Sequence, residues 1–504
     1  MTNLLIKNGR VLDLDGDVDM PPLADVLIRN GRIESVAADI VAPPGVDVLD
    51  ASDQLLIPGL INTHYHSHDV LLRGLFEQMP LDVWGFYSGP GNYPSLSADD
   101  IRLRTLLGAA DCLVNGVTTL QDMVTIPEAG DEQLAAILSG YEASGSRVSL
   151  GLQISDKAAA ETVPYWNELD GALGERLRRG IDVRSLQQLV ERTLSKAPPD
   201  RMVWALAPSG PQRNSDAVLA WISDLARAHR AQVFTHVYEA RTQAVIAKLT
   251  ATEGSLIKRL ERFGLLGPGL TIAHGVWIDE GELKSFGAAG ANLAFNPASN
   301  MKLLNGFAPI RGYADHGANV ALGCDNCSGN DSQSLLQSMK LFALYWGMQS
   351  DAGETGAARR AFHAATLGGA RALGLEGQIG ALKPGFLGDV VMLDLSTSTY
   401  RPLHSALNQI VYGETGQSIT TVIVGGKVVV KNHELVDHPA RKLKADAEDA
   451  RARMKPDIDR VARENASIVR PLLEAYRRAD AYPLTIDRYS MRRFSGHGCG
   501  CSHD

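Results

Sequence analysis

The sequence predicts an α/β protein: a (β/α)8 barrel carrying a small composite β-sandwich built from its two ends. Three observations predict it. Eight short apolar runs lie between residues 55 and 325, separated by longer stretches of helical periodicity. Gly-punctuated alternation of apolar and polar residues fills 4–57 and returns at 386–435. The chain has 504 residues, 45% of them apolar and 21% charged, which suits one large barrel with appendages.

Taken in order, LLIKNGRVLDL, ADVLIRNGRIESVAA and VDVLDASDQLLI alternate with period two, the mark of short antiparallel strands. The eight runs follow: LLIPGLINTHYH (55–66), GVTTLQDM (116–123), RVSLGLQ (147–153), MVWALAP (202–208), QVFTHV (232–237), LTIAHGV (270–276), NLAFNP (292–297) and NVALGCD (319–325). Helical stretches such as 97–115 and 215–230 sit between them, which is the barrel pattern. The expected division is 1–58 with 386–438 as the sandwich, 59–385 as the barrel, and 439–504 as surface helices with a Gly-rich tail.

Charge and cysteine content narrow the partners. A formal charge of −9 with no basic cluster argues against nucleic acid. No run reaches the ~18 apolar residues of a membrane span, and the N-terminus lacks a signal-peptide core. Five scattered cysteines point to a reducing compartment, hence the cytoplasm.

Chemistry in a barrel gathers at the C-terminal strand ends. His64 and His66 end the first run, on one face of a strand. His236 closes the fifth, His274 lies near the end of the sixth, and Asp325 closes the eighth. Core histidines normally appear singly and a buried Asp needs a partner, so this set points to a shared cation.

The pieces PGLINTHYH (58–66), GVTTLQDM, HVYE (236–239), AHGV (273–276), NPASNMKL (296–303) and LGCDN (322–326) resemble the amidohydrolase superfamily. Within it they are similar to the branch of cytosine-deaminase-like and triazine-hydrolase (chlorohydrolase) enzymes, and AATLGGARALGLEGQIGALKPG (364–385) resembles that branch's last barrel helix. The resemblance implies one divalent metal ion held by His64, His66, His236 and Asp325. It makes His274 a catalytic hydrogen-bonding residue and Glu239 the proton shuttle. Two-metal relatives carry a carboxylated lysine after the fourth strand, and MVWALAPSG has none. Zn²⁺ suits the donors best, with Fe²⁺ as the other candidate. A metal lowers the pKa of its water from ~15.7 toward ~7. The hydroxide then needs a base and the leaving group an acid, and Asp325 can share the first task.

Specificity is expected from Trp84, Phe86 and Tyr87 in LDVWGFYSGPGNY, an aromatic loop able to stack a flat ring. Asn326 and Ser328 are further candidate substrate contacts. Phe295 stands where many relatives have His, which weighs against a purine, and His68 departs from a Gln common in purine deaminases. The expected function is hydrolysis at an sp² carbon of a small nitrogen-rich heterocycle with release of ammonia or an amine. The alternatives are chloride loss from a halotriazine, urea or carbamate hydrolysis, and a metal-free scaffold role. The family implies a homodimer or higher oligomer. Three features read as decoys: the Cys324–Cys327 CxxC, the His433/His438 pair, and the tail residues His497, Cys499, Cys501 and His503.

Overall fold

A computed structural model of the chain describes residues 3–126, 129–168 and 182–490. Two sheets organise it. The first takes β1 (Asn3–Val11), β2 (Leu23–Arg29), β3 (Arg32–Ala37), β4 (Asp47–Asp50) and β5 (Gln54–Pro58) from the N-terminal segment. The second is the barrel: β6 (Leu60–His66), β7 (Val117–Val124), β8 (Arg147–Ile154), β9 (Met202–Pro208), β10 (Val233–Val237), β11 (Leu270–His274), β12 (Asn292–Phe295), β13 (Asn319–Leu322) and β14 (Asp325–Asn326). The C-terminal β15 (Val390–Asp394), β16 (Ile419–Val424), β17 (Lys427–Lys431) and β18 (Glu434–Leu435) return to the first sheet. There β15 pairs antiparallel with β5, so both ends of the chain share one nine-stranded sheet. Its own apolar cluster includes Ile6, Val26, Ile28, Leu56, Val390 and Ile423.

All barrel pairings are parallel. The sheet closes because β13 bonds to β12 while β14, two residues further along, bonds to β6. Helices cover the outside, so the strands are buried on both faces; β7 is buried at every position, including its polar Thr118, Thr119, Gln121 and Asp122. The helix Ala98–Val114 starts on a capping box, Ser97 with Asp100, which satisfies two orphan donors reciprocally.

The first predicted run is two strands. Residues 54–58 belong to the terminal sheet and 60–66 to the barrel, divided at Gly59. A Cβ at Gly59 would lie 2.0 Å from Thr118 Oγ1, so only glycine lets the chain cross here. The eighth run is broken in the same way at Gly323, where a Cβ would meet Asn296 Oδ1 at 2.2 Å. That break turns Asp325 toward β6.

The helices Ala440–Asn465 and Val469–Ala481 are less peripheral than their charge predicted. Met454 and Val461 pack with Leu72 and Tyr93. Ile468, Leu472 and Ala475 pack with Val83 of the helix Leu81–Ser88. They therefore back the segment that follows β6 at the C-terminal end of the barrel strands. The tail residues His497, Cys499, Cys501 and His503 lie outside the described residues.

Candidate active site

Four strand ends converge. Asp325 Oδ1 lies 3.3 Å from His64 Nε2 and 3.3 Å from His66 Nε2. His236 Nε2 lies 3.2 Å from His66 Nε2. His274 Nε2 sits 3.7 Å from Glu239 Oε1 and 3.8 Å from Asp325 Oδ2. All six residues are buried. Their potential ligand atoms form three overlapping triads, His64–His236–His274, His64–His66–Asp325 and Glu239–His274–Asp325, each with atoms within 4.8 Å of one another.

The backbone is strained to achieve this. His274 and Asp325 have φ of +71° and +66°, the left-handed region, where a non-glycine residue costs roughly 1–3 kcal/mol. Such outliers persist where surrounding packing over-determines them. Here both lie at strand ends that present side chains inward.

The ring nitrogens test the site for a cation. His66 Nδ1 lies 2.7 Å from the Met123 carbonyl, and His236 Nδ1 lies 2.6 Å from the Ser209 carbonyl. A carbonyl only accepts, so each Nδ1 must carry the proton. In the neutral rings both Nε2 atoms then present lone pairs to each other at 3.2 Å, with no proton to share. His64 Nε2 and His274 Nε2 are likewise buried without a hydrogen-bond partner. Two facing lone pairs beside a carboxylate fit a divalent cation, and the Nδ1 bonds to carbonyls are the outer supports that orient metal-binding histidines.

Burial pushes His236 well below the ordinary imidazole range and His64 down to about 4, the neutral forms a metal requires, whereas at His66 burial is outweighed by the Asp325 carboxylate, which raises the ring, a charge that a cation bound there would replace. Burial raises Asp325, but the imidazoles of His64, His66 and His274 that crowd it outweigh burial and hold the carboxyl well below its usual range. Burial raises the Glu239 carboxyl, with the Asp325 charge adding to the shift. Glu239 accepts from Asn305 Nδ2 at 3.2 Å, and its backbone N–H donates to Gln243 Oε1 at 2.9 Å.

Of the expected substrate contacts, the structure brings three near the cluster. Trp84 Nε1 donates to Ser328 Oγ at 3.1 Å, and the Trp84 ring packs on Ala240 and Leu303. Asn326 Nδ2 lies 3.5 Å from His68 Nε2, and the His68 ring is 5.1 Å from that of His66. Two others lie elsewhere. Phe295 is fully buried against Tyr345 and Phe342, with ring centroids 5.3 and 6.1 Å away, because its side chain points to the helix Leu335–Gln349 outside the barrel. Phe86 packs under the C-terminal helices with Val163 and Leu472, and Tyr87 joins it there. Cys324 and Cys327 are free and buried, and burial pushes the Cys327 thiol up to about 12, so they form no thiolate redox pair. His438 Nε2 contacts the Ala143 carbonyl instead of a metal cluster.

Sequence reasoning missed the supporting residues. Ser299 Oγ donates to Asp325 Oδ2, and Asn300 Oδ1 faces His274 Nδ1 at 2.8 Å. Both lie in NPASN, a polar run directly after a strand end. Asp69 accepts from the backbone N–H groups of Cys327 and Ser328 at 3.0 and 2.8 Å and from Ser328 Oγ at 2.6 Å. It stands three residues past His66, the spacing of Glu239 from His236, and that parallel was the available signal.

Residues 55–429 match the amidohydrolase family. The chain belongs to that family. An amidohydrolase from Natronomonas pharaonis, a 5-methylthioadenosine/S-adenosylhomocysteine deaminase, is 32% identical over 413 residues, 79% of this chain and 87% of the relative. The crystal structure of an adenosine deaminase from Xanthomonas campestris with bound zinc superposes with a TM-score of 0.78 at 26% identity, covering 90% of this chain and 99% of that one. An atrazine chlorohydrolase from Arthrobacter aurescens, complexed with zinc, gives a TM-score of 0.77 at 22% identity over 89% of this chain and 100% of that one, a likeness of fold.

Proposed function

We propose that this amidohydrolase is a mononuclear, zinc-dependent deaminase that replaces the exocyclic amine of an adenosine-type heterocycle by oxygen and releases ammonia. The observation that carries the reading is the pair of Nε2 atoms of His66 and His236, 3.2 Å apart beside Asp325, each on a ring whose Nδ1 is held by a backbone carbonyl. The named deaminases among its relatives support the reaction class. The place of Phe295 in the core removes the objection to a purine that its sequence position raised.

His64, His66, His236 and Asp325 would hold the ion. When bound, a divalent cation lowers the pKa of water enough to provide a nucleophile at neutral pH. Glu239 takes one proton from the attacking water and passes it to the departing amine, so the C–N bond breaks to release ammonia, the attacked carbon keeps an exocyclic hydroxyl (or its keto tautomer) bearing the second proton, and the carboxylate is restored. Its buried carboxyl keeps a proton more readily than a solvated one, which suits a group that both accepts and donates. His274, fixed through Nδ1 by Asn300, orients the attacking water with its other nitrogen. Trp84 and Leu303 supply an apolar wall for a flat ring, and Asn326 and Ser328 offer polar contacts at its edge.

The reading includes a composite β-sandwich domain over 1–58 and 386–438, a catalytic barrel over 59–385 and a C-terminal segment over 439–504. Cytoplasmic residence and a homodimer complete it, supported by the free buried thiols and the family resemblance. No helix among the described residues is long and apolar enough to cross a membrane.

The test is a substrate panel on the zinc-loaded chain: 5′-deoxyadenosine, adenosine, methylthioadenosine, cytosine, a pterin and an aminotriazine, scored for ammonia. Ammonia from the adenosine-type members is expected. Chloride or alkylamine release from triazines with no ammonia from purines would overturn the reading. A purified chain that takes up no divalent metal on reconstitution would leave the scaffold role standing.

A further inference from the structure

The segment 482–488 follows the helix Val469–Ala481 and lies outside the family domain, which ends at residue 429. Its sequence, YPLTIDR, alternates. Tyr482, Leu484, Ile486 and Arg488 turn toward the protein, while Pro483, Thr485 and Asp487 are exposed. That is the period of an extended chain laid along a surface. Leu484 and Ile486 pack on the main apolar core. Arg241 Nη2 donates to the Tyr482 carbonyl at 2.7 Å, which fixes where the segment begins. Arg488 ends it, and its side chain is turned into the protein, with the residue only 7% exposed.

Arg488 directs its donors to the backbone. Its Nε donates to the Val276 carbonyl at 3.1 Å and its Nη2 to the Ile278 carbonyl at 2.7 Å. Both carbonyls belong to the loop after β11, the strand that ends in His274. The carbonyl of Arg488 accepts from the Phe307 N–H at 2.7 Å, in the loop that follows β12 and the helix Pro297–Lys302. A Cβ at residue 306 would lie 2.7 Å from that carbonyl oxygen, so Gly306, at φ +107°, is what lets the segment dock. One residue thus joins the loops of two adjacent strands.

Both loops lead to Glu239. The N–H groups of Val276 and Trp277 each donate to the Tyr238 carbonyl at 3.0 Å, and Tyr238 directly precedes Glu239 with a left-handed φ of +53°. Trp277 Nε1 donates to the Asn305 carbonyl at 2.7 Å, and Asn305 Nδ2 donates to Glu239 Oε1 at 3.2 Å. Val276, Trp277, Ile278 and Asn305 are all buried. Simple packing here needs only an apolar side chain, and burying a guanidinium costs desolvation. What the guanidinium adds is a rigid fork that fixes the spacing of two carbonyls.

We propose that Arg488 is a positioning residue for the proton shuttle: it ties the loops after β11 and β12 together, so that Tyr238 and Asn305 hold the Glu239 carboxylate in place. The inference rests on the role assigned to Glu239.

The test is steady-state ammonia release by the zinc-loaded full chain. Arg488→Met keeps the stem and its packing but has no donor. It should lower kcat about 10–100-fold, the cost of a misplaced catalytic group, with KM within about threefold of the parent's. Metal content should equal the parent's. Arg488→Lys keeps the charge without the fork and should lower kcat in the same direction, which covers the case of a methionine variant that fails to fold. Combining Arg488→Lys with Asn305→Ser should cost less than the product of the two separate losses, because both act on one carboxylate. An inactive parent would overturn the Glu239 assignment and this inference with it. An active parent whose Arg488→Lys variant keeps the parental kcat, whatever its melting temperature, would overturn this inference alone, as would separate losses that simply multiply.

Discussion

Glu239→Gln separates proton transfer from metal binding. The side chain makes one hydrogen bond, from Asn305 Nδ2 at 3.2 Å, and its backbone N–H is held by Gln243. A glutamine presenting its carbonyl oxygen to Asn305 keeps that bond and the volume, so the ground-state cost is about 1 kcal/mol or less. The proton acceptor, however, is gone. General acid–base catalysis contributes about 10²–10⁴-fold, or roughly 2.7–5.4 kcal/mol of barrier. The expected outcome is therefore a fall in kcat of that size with metal content and melting temperature unchanged. Ammonia release under saturating substrate, plasma-emission metal analysis and calorimetry on one preparation provide the three readings. Turnover within about tenfold of the parent would refute the shuttle role, because among the described residues the carboxylates within reach of His274 are Glu239 and the expected ligand Asp325. Loss of the metal instead would show that Glu239 belongs among the ligands, an arrangement the triad Glu239–His274–Asp325 allows geometrically.

His236→Ala removes one of the two opposed lone pairs; metal occupancy and activity are both expected to fall, and full occupancy by metal analysis would contradict the ligand assignment. Asp69→Asn places an amide where one carboxylate gathers three donors, so a loss of about 2–3 kcal/mol in chemical denaturation and a raised KM through Ser328 and Trp84 are expected; a stability equal to the parent's would show the network to be dispensable. Asp100 caps a helix and pairs with Arg453. Burial alone would raise its carboxyl, but hydrogen bonds from Arg453 and Ser97 outweigh it and lower it. A lowered folded-state value means that stability is present above the unfolded value of ~3.9 and is lost as pH falls through the folded one. Asp100→Asn should therefore be less stable than the parent at neutral pH by ~1 kcal/mol, with the gap narrowing on acidification below about pH 4; a gap constant with pH would reject the linkage.

The legible parts of the fold were those governed by local pattern. Period-two alternation at both ends and eight apolar runs between them correspond to a shared terminal sheet and a parallel barrel. What local pattern missed was where the chain changes sheet. Residues 55–66 read as one run, yet Gly59 divides them, because the obstacle is Thr118, 59 residues away. The C-terminal helices read as surface elements from their charge, and only the complementary face of the helix Leu81–Ser88 reveals what Leu472 and Ala475 cover. The site shows the same division. His64, His66, His236, His274, Asp325 and Glu239 were nameable because strand ends are identifiable in sequence, and the fold brings them together. Phe295 was misplaced because its strand face depends on which helix packs outside it, and Phe86 because its segment forms the helix Leu81–Ser88, which lies under a segment nearly 400 residues later.

The order of residue types along the chain determined the donor set, since imidazole and carboxylate chemistry is intrinsic to each side chain and strand periodicity places them at ends. The tertiary structure decided the rest: which ring nitrogen is free. His66 Nδ1 and His236 Nδ1 meet the carbonyls of Met123 and Ser209, at the ends of the neighbouring strands β7 and β9, and the register that sets those atoms level is a tertiary property. Those contacts orient each ring, and the curvature of the barrel brings β6 and β10 across from one another so that the two Nε2 atoms face one point in space.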